Sequence, residues 1–237
     1  MESVVFKGPR LLLVHGSVVN GEVTWNAQRP LAERFQLVVP NRRGFPPGPD
    51  ADRVDFEDEA AWLEGFLEPE THLVGHSYGG VISLLTAARR PELVRSLTVI
   101  EPPAFGLARG HRAVEEFIER SGAITTGDPE AYLRAFLALV GSPQPAEMNA
   151  ARLQGARMLM IERPPWEAEI PLDRLAGMPT LVLSGGHSAA FDAVCDVLVE
   201  RLDAERAVLP GAGHSPQRLG EPFNTLLTAF VMKQTTG

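Results

Sequence analysis

The chain has a single cysteine, Cys195, among 237 residues. That count excludes an internal disulfide and any metal cluster built on thiolates, and it suits a reducing compartment. No apolar run approaches the ~18 residues that a membrane-spanning helix needs. The opening residues, Met1 to Lys7, lack the cationic start and long apolar stretch of an export signal. We therefore expect a cytoplasmic protein with no membrane partner. Basic stripes are missing too: net charge is −8, and Arg42-Arg43 and Arg89-Arg90 are short pairs. Nothing here would neutralise a run of phosphates, so nucleic acid is not an expected partner. Internal repeats and low-complexity segments are absent.

What remains is the composition of an ordinary globular protein, 44% apolar and 22% charged. The length suffices for one α/β domain with a large core. Short β-branched or leucine-rich runs at Arg10–His15, Gln36–Pro40, His72–Gly75, Leu97–Ile100, Thr180–Ser184 and Arg206–Leu209 alternate with helical patterns near 25–34, 55–67, 79–90, 190–202 and 217–233. Such alternation predicts a mostly parallel, doubly wound sheet covered by helices on both faces. Thr24 and Asp55 stand where helix N-caps belong.

Between 104 and 176 the alternation stops. Helix-like segments at Gly110–Arg120, Pro129–Val140 and Ala146–Ile161, separated by Gly and Pro clusters, predict an all-helical cap inserted into a core of 1–103 and 177–237. Phe105, Phe136 and Trp166 are candidates for an apolar substrate pocket, along with Phe117, Tyr132, Met148, Met158 and Met160. Apolar residues at helical spacing also serve simply to hold helices together.

The strongest local signal is Gly75-His76-Ser77-Tyr78-Gly79, set between a strand and a helix. A serine on so sharp a turn tolerates only small neighbours, and its hydroxyl is exposed at the head of the sheet beside a helix N-terminus. This segment resembles the nucleophile elbow of the α/β-hydrolase superfamily, and the resemblance runs along nearly the whole chain. Leu11-Leu-Leu-Val-His15-Gly16-Ser17 is similar to the family's turn whose N–H helps form an oxyanion hole. The resemblance assigns that role to the N–H groups of Ser17 and Tyr78. Asn41-Arg-Arg43-Gly44 looks like the family's Asp-x-Arg-Gly segment, with Asn for the Asp, and has a structural role. Leu209-Pro-Gly211-Ala-Gly213-His214 resembles the turn that presents the catalytic histidine.

A serine hydroxyl needs a base, and six histidines compete. Position near the C-terminus, after a strand, favours His214, with His187 as its rival. His15 is expected to order the oxyanion loop, and His76 to point away from Ser77. The acid is the harder question, because the turn that carries an Asp in most of the family reads Ser184-Gly185-Gly186-His187-Ser188 here. Glu101, which ends the strand Leu97–Ile100 and precedes Pro102-Pro103, is the expected replacement, as in a subgroup of haloalkane dehalogenases. Asp192, an ordinary surface ion pair for Glu101, and the lack of a working acid stay open.

The resemblance implies a serine hydrolase that cleaves a small, mainly apolar ester through an acyl-enzyme, with no cofactor and no metal, as a monomer or homodimer. A serine in place of an aspartate argues against dehalogenase or epoxide-hydrolase chemistry. Lyase, perhydrolase and receptor-like relatives are the alternatives.

Overall fold

A computed structural model describes residues 8–235. Six strands, β1 (Arg10–Val14), β2 (Gln36–Val38), β3 (Thr71–His76), β4 (Val94–Ile100), β5 (Thr180–Ser184) and β6 (Glu205–Val208), form one sheet in the order β2-β1-β3-β4-β5-β6. Every pairing is parallel. The central strand β3 is buried along its whole length, as a strand covered on both faces must be.

Side chains alternate across the sheet and feed two cores. Leu12, Val14, Leu73, Leu97, Val99 and Val182 face one side. There they meet α2 (Phe56–Leu63), α3 (Tyr78–Arg89) and α7 (Ala189–Leu202). Leu11, Leu13, Val74, Ile100, Leu181 and Leu183 face the other side and pack on Trp25, Phe35 and Phe223. Phe223 belongs to the last helix, Glu221–Thr235. Strand order reverses between β1 and β3, so the turns that leave those two strands flank the crevice where ligands bind in open parallel sheets. Ser17 follows β1 and Ser77 follows β3.

Three α-helices stand between β4 and β5: α4 (Arg112–Gly122), α5 (Pro129–Leu139) and α6 (Ala150–Met160). Asp128 caps α5, accepting from the Ala131 N–H at 2.7 Å, and Pro129 at the first helical position fits that start. Asn149 caps α6 in the same way, through the Arg152 N–H at 2.9 Å. Leu133, Ala156 and Leu159 form a small core between α5 and α6, with Tyr132, Phe136 and Met148 around it.

Three expectations about helices are corrected. Thr24 does not cap a helix; it ends the short helix α1 (Gly21–Thr24), whose cap is Asn20. Its hydroxyl instead donates back to the Asn20 carbonyl at 3.0 Å, the local bond open to a threonine inside a helix. The stretch 26–33, which contains Pro30, is wound as a 3₁₀ helix. The pattern near 217–233 is broken at Gly220, where φ is +70°, into a 3₁₀ turn and the terminal helix. Asp55 does cap α2, accepting from the Glu57 N–H at 2.9 Å.

Candidate active site

The turn after β3 is possible only with glycine at two places. A Cβ on Gly75 would lie 2.4 Å from the Gly79 carbonyl oxygen, and one on Gly79 would lie 2.4 Å from the His15 carbonyl oxygen. With both side chains absent, β3 turns straight into α3 and Ser77 is held at φ 54°, ψ −127°. That conformation is costly for a residue with a side chain and is found where a site demands it. The Ser77 N–H donates to the Ile100 carbonyl at 2.8 Å, so the strained residue is still fastened to the neighbouring strand.

Glu101 repeats the arrangement one strand over. It follows β4 directly, has φ 46°, and its N–H donates to the Leu183 carbonyl at 2.8 Å. Its side chain is completely buried. Buried carboxylates are costly unless donors surround them. Here the Gly185 N–H reaches Oε1 at 2.6 Å, His214 Nδ1 reaches Oε2 at 2.8 Å, and His187 Nδ1 lies 3.3 Å from Oε1. Burial works to raise the proton affinity of Glu101, but the contacts with His187, His214 and the Gly185 N–H outweigh it and hold the pKa at about 2. The group is a carboxylate at any physiological pH.

His214 stands in the loop after β6, between the two. Its Nδ1 faces Glu101 and its Nε2 lies 2.8 Å from Ser77 Oγ. A carboxylate only accepts, so Nδ1 carries the proton and Nε2 of the neutral ring is the acceptor for the serine O–H. Glu101 thus selects the tautomer a base needs. The ring packs against Phe191 at 4.6 Å between centroids, and the His214 carbonyl accepts from His76 Nε2 at 2.8 Å. Burial lowers the His76 pKa to about 3, with His214 nearby adding to the effect, and its ring supports the histidine loop without touching the serine.

The remaining histidines have other partners. His15 bonds the Gly16 carbonyl through Nδ1 at 2.8 Å and accepts the Arg42 N–H on Nε2 at 2.9 Å. Burial, helped by Arg42, takes its pKa down to about 3, so it is a neutral strut between the Ser17 turn and the turn after β2. His72 bonds Ser96 Oγ at 2.7 Å on adjacent strands. His111 precedes α4. His187, the rival base, touches Glu101 but is not brought to Ser77. Asp192, the rival acid, sits in the first turn of α7 and accepts from Ser184 Oγ at 2.6 Å and Arg206 Nη2 at 2.9 Å.

The N–H groups of Ser17 and Tyr78 have no partner among the described residues. Tyr78 opens α3, where an N–H has no carbonyl of the preceding turn to meet. Two arms of one cleft meet at Ser17, Ser77 and His214. The first, of about 230 Å³, is walled by Phe105, Phe117, Phe136, Trp166 and Phe191. The second, of about 500 Å³, is lined by Val18, Leu133, Pro143, Arg152 and Arg218 among others. Met158 is buried in the core instead, against Gly44, and Met148 packs in the α5–α6 cluster.

One cluster beside the site was not legible as such. Arg42 is fully buried and donates to the Gly16 carbonyl at 2.9 Å and, through Nε, to Glu59. Its guanidinium also lies over the Tyr78 ring at 4.8 Å and 3.4 Å from Glu162. Glu162, just beyond α6, lines the first arm and accepts the Ser17 hydroxyl at 2.6 Å. Burial pushes its pKa up to about 7, against the pull of Arg42. The Asn41-Arg-Arg43-Gly44 segment was expected to be structural, without its partners being named; for Glu162, in an aperiodic linker, no sequence signal existed. Donor atoms of Glu101, His187 and His214 lie within 4.8 Å of one another. Each already serves in the hydrogen-bonded chain or on its flank.

The sequence matches the alpha/beta hydrolase family over residues 11–224, and the chain belongs to that family. It is 28% identical over 179 residues to a pimeloyl-[acyl-carrier protein] methyl ester esterase of Aeromonas hydrophila, covering 73% of this chain and 66% of that protein. It is 27% identical over 233 residues to a 2-(acetamidomethylene)succinate hydrolase of Mesorhizobium japonicum, covering 87% and 82%. In fold it is similar to an alpha/beta hydrolase from Sphaerobacter thermophilus, with a TM-score of 0.71, 24% identity and coverage of 94% and 92%. No helix among the described residues is long and apolar enough to cross a membrane.

Proposed function

We propose that the protein is a serine hydrolase that cleaves a small carboxylic ester through an acyl-enzyme on Ser77. The observation that carries this reading is the unbroken chain Ser77 Oγ, His214 Nε2, His214 Nδ1, Glu101 Oε2, with 2.8 Å at each contact. His214 takes the Ser77 proton as Oγ bonds to the acyl carbon. The carbonyl electrons move to oxygen, which the Ser17 and Tyr78 N–H groups receive; one such donor is worth about 3 kcal/mol of barrier. When the tetrahedral centre collapses, the bond to the leaving alcohol breaks and His214 returns the proton to it. Water repeats the sequence, releasing the acid and restoring the Ser77 O–H.

The cleft bears on the substrate. The aromatic rings around the first arm suit a compact apolar group. The second arm holds Arg152 and Arg218, neither ion-paired with a carboxylate among the described residues. Like charges left without a counter-ion suit a substrate whose other end is anionic, which refines the expectation of a mainly apolar ester. Relatives named for hydrolysis of a methyl ester and of a substituted succinate are consistent with this reading.

The test is covalent labelling of Ser77 by a fluorophosphonate together with burst kinetics on p-nitrophenyl acetate. Labelling and a burst, both lost in Ser77→Ala, are the expected results. An unlabelled Ser77 in a protein that a ligand still stabilises against heat would make it a binder. Given turnover, paired esters that differ only by a carboxylate on the alcohol side test the second arm, with the anionic member favoured at low salt.

A further inference from the structure

His187 has an unusual pair of neighbours. Its Nδ1 lies 3.3 Å from Glu101 Oε1, and its Nε2 lies 3.1 Å from the Val140 carbonyl oxygen. A carboxylate and a peptide carbonyl can only accept. A neutral imidazole has one N–H and one lone pair, so whichever tautomer it adopts sets a lone pair against an oxygen. Only the imidazolium supplies a proton in both directions.

The surroundings are shaped to this ring. It stacks on Phe191 at 6.1 Å between centroids with planes 27° apart, and its side chain is 20% exposed. Gly141, next to Val140, has φ +65°, and a Cβ there would lie 2.7 Å from His187 Cδ2. A Cβ on Gly213, beside His214, would lie 2.5 Å from the Gly141 carbonyl oxygen. The end of α5, the His187 loop and the His214 loop therefore meet in backbone contact, over the acid.

We propose that His187 is a standing cation that clamps the helical insertion, through the Val140 carbonyl, to the carboxylate of Glu101. It is a positioning residue; the proposal rests on the reading of Glu101 as the acid of a serine hydrolase. The charged groups that face it are Glu101 from the end of β4, His214 from the loop after β6 and Asp192 from α7. The α5 corner contributes the Val140 carbonyl. Asp192 is engaged with Arg206 and Ser184, which leaves Glu101 as the near counter-charge. Contact with Glu101 raises the His187 pKa against its partial burial.

Deprotonation removes one of the two bonds. If Nδ1–H stays with Glu101, a lone pair faces the Val140 oxygen and the α5 corner loosens. Val140 and Phe136 line both arms of the cleft, so substrate binding responds first. KM for an apolar ester should rise about threefold to tenfold as pH increases through the His187 titration, with a smaller change in kcat.

The experiment is ¹⁵N NMR of the imidazole nitrogens in the resting protein, with His187 assigned by its disappearance in His187→Gln. At pH 7 both of its nitrogens should be protonated, with a midpoint above that of a free histidine, and that midpoint should fall in Glu101→Gln. A neutral ring at pH 7 overturns the proposal. In kinetics, His187→Gln should show a KM that is flat across the pH range where the wild-type value climbs; a climb unchanged in the variant also overturns it. Should His187→Gln not fold, His187→Asn takes its place for assignment. The NMR arm needs no turnover, so a failed clamp is distinguishable from a failed hydrolase, which would show as an unlabelled Ser77.

Discussion

At the scale of single residues, the site joins two side chains held at positive φ. Ser77 and Glu101 adopt conformations that any β-carbon resists, and both do so at the first position past a buried strand. Glu101→Gln keeps the shape but no longer stabilises the imidazolium or fixes its tautomer, so kcat should fall by about 10²–10⁴-fold. Asp192→Asn should leave kcat within about twofold, since that carboxylate serves Arg206 and Ser184. Stopped assays on the two purified variants check this, and the reverse result would return the acid to α7.

Glu162 yields a second prediction, of stability. Its folded pKa of about 7 lies above the ordinary carboxyl value of 4.5. The folded state therefore holds a proton that the unfolded chain has lost. Its contribution is fully present below pH 4.5 and disappears as pH rises through about 7. Glu162→Gln should be nearly neutral at pH 5 and gain stability relative to wild type by pH 8, by one to a few kcal/mol at most. Urea denaturation at both values measures it.

At the scale of elements, the contact between α6 and the Ser17 turn is the most demanding. A Cβ on Gly155 would lie 1.8 Å from the Val18 carbonyl oxygen, and Val18 itself has φ 78°. Backbone meets backbone there, so Gly155→Ala must push α6 away from the turn that carries the Ser17 N–H. Overpacking of this kind costs about 1–3 kcal/mol. Turnover should drop at least about tenfold, with far-ultraviolet circular dichroism unchanged; an alanine variant of normal activity would show that the contact does not shape the site.

The elements also show where the sequence was readable. Strands β3, β4 and β5 carry apolar residues to both faces and stood out as runs, and the sharp turn at Ser77 was legible because only glycine fits at 75 and 79. The exit of β4 was legible through a charge where the run called for none. The 3₁₀ stretch 26–33 was not, since its apolar spacing fits either helix and Pro30 decides. Arg42, Glu59 and Glu162 escaped because their link spans up to 120 residues of chain, and no local pattern encodes it. His187 was weighed only as a rival to His214 for the base, and geometry sets it beside Glu101 instead.

At the scale of the whole molecule, proton binding ties the site to the fold. The Glu101 pKa of about 2 lies below the unfolded 4.5, so its contribution to stability is present above pH 4.5 and is lost as pH falls toward 2. Acid unfolding followed by tryptophan fluorescence should lose part of its steepness between those values in Glu101→Gln. The cleft also draws its residues from two separate stretches of chain. Ser77, Glu101 and His214 leave the carboxyl edge of the sheet, while Phe117, Phe136, Trp166 and Glu162 come from the segment between β4 and β5.

That separation has a practical corollary for anyone wishing to redirect the catalyst. A combinatorial library confined to the cleft-facing side chains Phe117, Phe136 and Trp166 would vary what is admitted while sparing the strand exits and the Gly155 contact. Diversity placed at the strand exits would mostly yield dead clones.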